Sequence, residues 1–495
     1  MGADTDTAQF ADTLSARLAS YGARPFVEFE RKWHSGNDIT DYIGRIGQAL
    51  TQAGVDPGEP VGLVVRNRVA HAAAILGFVA AQRPVVMIYS YQSARSIARD
   101  IDGLGLPAVV LDREDWTPDV AEAVTHTGAA AVTLSWPTVG IVAVRRRSNN
   151  VHPGPKVAAA GLHILTSGTT GPPKRMPVKT PVLQHTMLSM TVGQNPSPDD
   201  PPELVYWPFG SIGVCQLLAG PYLGKRTVLL EKFSVDEFVR AIKTYGIKRT
   251  GVQPAILRML LDADVAKEDL ASLEYLPGGS APLDPQLRDE FESRYGIPLL
   301  WAYGATEFAG SACAMTLDLY RRYGPAKRDT VGRPLPGVRV RIVDEETDTE
   351  VGDGDRGLLE ARIDVVGPEW IRTTDLASVD ADGFVTIHGR ADGAIIRGGF
   401  KILPETVRRV LMAHPAVGDA SVVGVADRRL GHVPFAAVET KPGVPTPSES
   451  ELMDWVRESL PSHHVPVAIT TVDRLPRNPA LKVRPADVAD LYNPR

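Results

Sequence analysis

Residues 165–174, "LTSGTTGPPK", place Thr166, Ser167, Gly168, Thr169, Thr170, Gly171 and Lys174 within ten positions. Glycines free backbone N–H groups to point inward, hydroxyls donate hydrogen bonds, and a lysine adds charge. That combination suits the wrapping of a polyphosphate. It is not the common P-loop, in which the lysine directly follows glycine and precedes Ser or Thr. Here Pro172 and Pro173 separate Gly171 from Lys174, and Arg175 follows. A Ser/Thr/Gly linker has the same composition. The apolar "LHIL" just before it reads as a buried strand and favours a site.

Other stretches also carry chemistry. "YGATE" (303–307) offers an aromatic face in Tyr303 for stacking on a base. Its Glu307 offers a carboxylate for Mg²⁺, a hard cation that prefers oxygen ligands. A strand end followed by a helix-starting Thr-x-Glu would look the same. Asp375 and Arg390 flank a hairpin-like "DADG" (380–383), and solvated hairpin charges are the plainer reading. Lys482 stands in "RNPALKVR" near the end of the chain, where a basic tail is the plainer reading. "GDGDRG" (352–357) fits G-x-G-x-x-G but precedes the strand-like "LLEARI" and carries Asp353 and Asp355. A dinucleotide site needs a helix there, so this is a hairpin turn.

Elements must position these residues. From residue 61, "VGLVV", "AHAAAILGFVAAQ" and "PVVMIY" alternate strand, helix, strand. Further units follow: "KRTVLLE", then the helix "SVDEFVRAIKTYG" with a capping box from Ser234 and Glu237, then "IKRTGVQ" as a strand. "PAILRMLLDA", "LEYLPGG", "PLDPQLRDEFESRYG" and "PLLWAYG" continue the pattern as helix, strand, helix and strand. Such repetition means α/β layers with largely parallel strands, whose ligands sit beyond the carboxyl ends of strands. "GGSAP" (278–282) and "YGATE" hold that place. After about residue 390 the pattern becomes that of a small α+β unit.

Bulk properties set limits. A chain of 495 residues exceeds one compact core, and 43% hydrophobic residues exclude disorder. Fifty-three basic against 59 acidic residues, a net charge of −6, do not suit a nucleic-acid binder. Two isolated cysteines, Cys215 and Cys313, allow no disulfide framework or zinc spacing and point to a reducing cytoplasm. "MGADTDTAQF" is no secretory signal, and "VAHAAAILGFVAA" is too short to span a bilayer.

In order and spacing, "TSGTTGPPK", "YGATE", "GRADGAIIRGGFKILPETV" and the terminal Lys482 resemble the adenylate-forming superfamily of acyl-CoA synthetases, peptide-synthetase adenylation domains and luciferases. The resemblance covers nearly the whole chain. It implies an α/β fold: a large N-terminal domain with mixed and parallel sheets (1–390) and a small mobile α+β cap (391–495), hinged near Asp392. The implied chemistry joins a carboxylic acid to AMP at the expense of ATP, releasing pyrophosphate, and then passes the acyl group to a thiol, usually coenzyme A. Loading of a carrier protein, or a nucleotide-binding homologue that has lost catalysis, are the alternatives.

Roles follow from the resemblance residue by residue. Residues 166–171 and Lys174 would wrap the phosphates. Gly279, Ser280, Ala281, Tyr303, Gly304 and Ala305 would form the adenine pocket. Thr306 would bind the α-phosphate and Glu307 the Mg²⁺. Asp375 and Arg390 would bind the ribose, and Lys482 would bridge the carboxylate and the α-phosphate. Trp207, Phe209 and Gly210 of "WPFGSIG" would border the acid. The sequence departs from the family pattern at Gly210, where an imidazole is usual. It departs again at Thr374, in "TTD" for Thr-Gly-Asp, and at Leu481, where glycine usually precedes the lysine. Small residues at and around Gly210 leave volume for a bulky acid, unless a neighbouring group closes in.

Overall fold

The computed structural model describes residues 2–146, 161–166, 174–189, 197, 199–211, 213–279, 281–308, 310–391, 393–397, 400–427, 430–479 and 481–493. The chain divides into two compact units, one up to Thr250 and one from Gly251 onward.

A seven-stranded sheet dominates the first unit. Its order is Thr138–Ala143, Ala130–Ser135, Ala108–Asp112, Val61–Val65, Val85–Tyr89, Leu162–Thr166 and Lys174–Val178. The inner five strands are parallel and the two edge strands antiparallel. "VGLVV" is buried at every residue, as a central parallel strand covered on both faces must be. Helix Val69–Ala80 is almost wholly buried against it, which explains its apolar run. The connections after Val61–Val65 and Ala108–Asp112 leave in opposite directions, and the chain's own charges fill the crevice between them. Arg66 pairs with Asp115 at 2.7 Å, and Arg68 with Asp112 at 3.0 Å and Glu231 at 2.8 Å. A smaller sheet orders Glu203–Val205, Thr227–Leu229, Pro25–Phe29 and Lys32–Ser35.

Two expectations need correction here. "IKRTGVQ" forms no strand; only Val252 bridges, to Gly278. Gln253 stands at the N-cap of helix Pro254–Asp262 without a side-chain cap bond, extended at φ −118° as a residue before proline prefers. Ser234 does cap helix Val235–Tyr245 by accepting from Glu237 N, but the reciprocal half of the box is missing. The Glu237 carboxylate is engaged by Arg31 at 2.7 Å and Arg240 at 2.6 Å instead.

Among the described residues the second unit contains three sheets. The first runs Leu276–Gly278, Leu299–Ala305, Gly310–Ala314, Arg333–Pro334; the second is the antiparallel meander Val338–Val343, Gly357–Ile363, Ile371–Val379, Val385–Arg390. "GDGDRG" lies in the connection between the first two meander strands, so it is a turn, with Gly354 at φ +84°. The third sheet is the small C-terminal α+β domain. Strands Phe400–Ile402, Ile395–Arg397, Gly431–Thr440 and Val417–Asp427 pair antiparallel, and Ala468–Val472 adds a parallel fifth. Helices Pro404–Met412 and Glu449–Ser459 close its own core around Val407, Leu411, Leu452 and Val456. Among the described residues no helix is long and apolar enough to cross a membrane.

Candidate active site

Strand Leu299–Ala305 is the spine of the site in the second unit. Gly278 and Gly279 lie close against it because they carry no side chain. A Cβ on Gly278 would run into the Trp301 ring, and one on Gly279 would sit 3.0 Å from the Ala302 carbonyl. Trp301 Nε1 donates to the Ala281 carbonyl at 2.8 Å. The antiparallel partner Gly310–Ala314 slips register between Tyr303 and Gly304, and a Cβ on Gly304 would collide with the Gly310 carbonyl. Such a bulge re-aims side chains at a strand end. Ala305 ends the strand, and a 3₁₀ turn, Thr306–Phe308, follows. It is anchored by buried Phe308, whose ring centroid lies 6.0 Å from that of Tyr303. Glu307 points into solvent on this turn.

The meander brings Asp375 to the same place. Tyr303 donates its phenolic proton to Asp375 Oδ2. Burial, then the neighbouring carboxylate, pushes the phenol far above its ordinary range, so Tyr303 stays a neutral donor. Asp375 and Arg390 face each other across paired strands Ile371–Val379 and Val385–Arg390. Thr373 Oγ1 accepts from the Asp375 N–H at 3.0 Å, and Arg390 Nη2 donates to Thr374 Oγ1 at 2.9 Å. The unusual threonine of "TTD" thus orients the guanidinium.

Lys482 sits in a hairpin closed by the bridge between Arg477 and Val483. Asn478 Oδ1 accepts from Lys482 N–H at 3.0 Å, Asn478 N–H donates to Lys482 O at 2.8 Å, and Leu481 N–H donates to Asn478 O at 2.8 Å. Leu481 has φ +59°, the left-handed region that favours glycine. Arg477 holds the hairpin: Nη1 donates to Leu481 O at 3.1 Å and Nη2 pairs with Asp419, which Arg408 also engages at 3.1 Å. Burial opposes the charge on Asp419, and the two guanidinium ions more than offset it, lowering its pKa. Lys482 has no ion-pair partner among the described residues, and burial lowers its pKa below the ordinary 10.5.

In the first unit, Thr166 and Lys174 are register partners in paired strands Leu162–Thr166 and Lys174–Val178. Ser167, Gly168, Thr169, Thr170 and Gly171 lie outside the described residues. So do Ser280 and Asp392, and the side chains of Thr166, Lys174 and Thr306. Trp207 is half-buried, while Phe209 is packed into the core. Gly210 does not open a void: a Cβ there would be 2.5 Å from Tyr89 Cε1 and 3.2 Å from Val65 Cγ1. The volume expected at Gly210 is therefore taken by the Tyr89 ring. Both cysteines are fully buried, Cys215 in the first unit and Cys313 in the second, and burial pushes each thiol up to about 12.

No group of three His, Cys, Asp or Glu among the described residues could cage a metal. Mg²⁺ usually takes one or two carboxylates plus substrate phosphates and keeps several waters. A single exposed Glu307 fits that use, with the ion arriving on a nucleotide. Tyr89, Asn67, Thr374 and Arg477 escaped the reading of the sequence as contributors. Asn67 lies two residues past the carboxyl end of a central parallel strand, a position that marked it as a candidate.

Residues 14–366 match the AMP-binding enzyme family and residues 407–482 its C-terminal domain. The chain belongs to the AMP-binding enzymes. A 2-succinylbenzoate–CoA ligase of Bacillus cereus is 27% identical over 489 residues, covering 93% of this chain and 94% of the relative. A 4-coumarate–CoA ligase of Oryza sativa is 26% identical, covering 96% and 90%. ATP-bound MatB of Rhodopseudomonas palustris shares the fold of this AMP-binding enzyme, with TM-score 0.81 at 23% identity over 97% of this chain and 99% of that one.

Proposed function

We propose that this AMP-binding enzyme activates a bulky carboxylic acid with ATP, releasing pyrophosphate, and transfers the acyl group from acyl-AMP to coenzyme A, releasing AMP. The observation that carries this reading is the cluster of Tyr303, Asp375 and Arg390. A neutral, half-buried phenol, a carboxylate and an oriented guanidinium sit together near the end of a strand. The aromatic face suits a purine, and the polar pair suits ribose hydroxyls. Full-length similarity to CoA ligases of aromatic acids supports both the thiol and the size of the acid.

Joining two anions requires cations and donors already in place. Residues 166–171 and Lys174 serve the phosphates, Thr306 serves the α-phosphate, and Lys482 neutralises the carboxylate and α-phosphate. Gly279, Ser280, Ala281, Gly304 and Ala305 frame the base. Mg²⁺, when held by Glu307, supplies charge neutralisation at the phosphates. Residues 391–495 act as a cap that turns about Asp392 between the two steps. Acid-dependent pyrophosphate release across acetate, octanoate, benzoate, 4-coumarate and 2-succinylbenzoate tests the reading. Release with an aryl acid and AMP formation on adding coenzyme A are expected; a clear preference for acetate overturns the bulky acid.

A further inference from the structure

Gly210 and Tyr89 come from segments far apart in the chain, yet they fit as one surface. Tyr89 ends the parallel strand Val85–Tyr89, where sheets of this kind hold their ligands. Its ring occupies the place a side chain at 210 would need: a Cβ would meet Cε1 at 2.5 Å and Cδ1 at 2.8 Å. The loop cannot retreat to make room. Asn67, 1% exposed, donates from Nδ2 to Trp207 O at 2.9 Å and accepts at Oδ1 from Phe209 N–H at 3.0 Å. Val65 Cγ1 closes the other side at 3.2 Å. Tyr89 itself is only partly buried.

We propose that Tyr89 is the specificity-determining wall of the acid pocket, and that position 210 is glycine because the Tyr89 ring occupies the space of its side chain. The inference rests on the reading that residues 207–210 border the acid. Ring bulk, rather than a catalytic group, limits the acid at this point, and Asn67 is the positioning residue that keeps the loop against the ring. Removing the ring opens a space that only a larger acid fills, while a smaller acid loses its contact.

Pyrophosphate release is measured with benzoate, 4-coumarate, 2-succinylbenzoate and 2-naphthoate for the native enzyme, Tyr89→Ala, Tyr89→Phe, Gly210→Ala and the Tyr89→Ala/Gly210→Ala pair. In Tyr89→Ala, kcat/KM for 2-naphthoate over benzoate should rise about tenfold or more, since pocket volume discriminates on that scale. The KM for ATP should hold. Tyr89→Phe should keep the native ranking. Gly210→Ala should lose most activity and lower the melting temperature in the native background, and do neither in the Tyr89→Ala background. An equal change for every acid in Tyr89→Ala, or an equal loss from Gly210→Ala in both backgrounds, overturns the role of Tyr89 alone. No pyrophosphate release from the native enzyme with any acid overturns the acid-activating function and this inference with it. Melting curves separate a folding failure from a change of preference.

Discussion

Two loops depart from the family pattern, and they are held in opposite ways. The hairpin closed by Arg477 and Val483 replaces glycine with Leu481 and keeps the backbone that glycine would have chosen, at φ +59°. Bonds from Asn478 and from Arg477, itself anchored on Asp419, impose that shape. The loop at 207–210 replaces an expected imidazole with glycine, and a ring from another strand fills the gap. In the first loop a backbone conformation is fixed and the side chain is free to vary. In the second a volume is fixed and the residue that fills it has moved. A departure from a family pattern is therefore informative only once its neighbours are known.

The largest expected effect breaks the first loop at its tip. Lys482→Ala should lower acyl-AMP formation about 10²–10³-fold, the usual cost of a preorganised donor to a reacting anion. Thioester formation from supplied acyl-AMP should be nearly unaffected. Equal loss in both half-reactions would remove Lys482 from the first step.

Next, Arg477→Met tests whether charge holds the hairpin. It should lower adenylation by roughly tenfold or more, because small misplacement of a reacting group is expensive. The expected stability cost is about 1–2 kcal/mol, discounted for the partial exposure of the pair. Arg477→Lys should recover part of the rate. An unchanged adenylation rate with lowered stability would make Arg477 a purely structural brace.

A pH profile sharpens the same point. In the proposed first step Lys482 acts as a cation, so adenylation should be present below its pKa and lost as pH rises through it. Burial lowers that pKa, so the decline should begin on the acid side of the ordinary 10.5. Lys482→Arg should shift this limb to higher pH, and the thioester step should lack it. An alkaline limb common to both steps would point to another group.

The smallest effect is expected at Leu481→Gly. Glycine removes a left-handed cost of about 1–2 kcal/mol but adds freedom to the unfolded chain worth about 0.5–1 kcal/mol. Net stability should rise by less than about 1.5 kcal/mol, with adenylation close to native. A large loss of rate would mean that the Leu481 side chain, and not only its backbone, matters.

The sequence made the α/β layers legible because continuously apolar runs such as Val61–Val65 and Val69–Ala80 can only be interior. It also pointed to the strand end at Tyr303. Distant pairings stayed hidden. Tyr303 and Asp375 are 72 positions apart, and nothing local to either names the other. Thr374 was visible only as a departure until Arg390 was found on it. The ring over Gly210 was unreadable for the same reason: a glycine states that a side chain is absent, not what stands in its place. Of "IKRTGVQ" only Val252 pairs, with Gly278, and the helix begins only at Pro254.

The buried cysteines have a practical meaning for all these experiments. Cys215 and Cys313 are both 0% exposed, and their thiols remain protonated at neutral pH. Neither can accept an acyl group in place of an incoming thiol, nor react readily with a thiol-specific dye, because the thiolate is the reactive species. The folded enzyme should therefore be optically silent in a disulfide-exchange assay. Consumption of coenzyme A could then be followed continuously by its own sulfur, with no background from the protein to subtract.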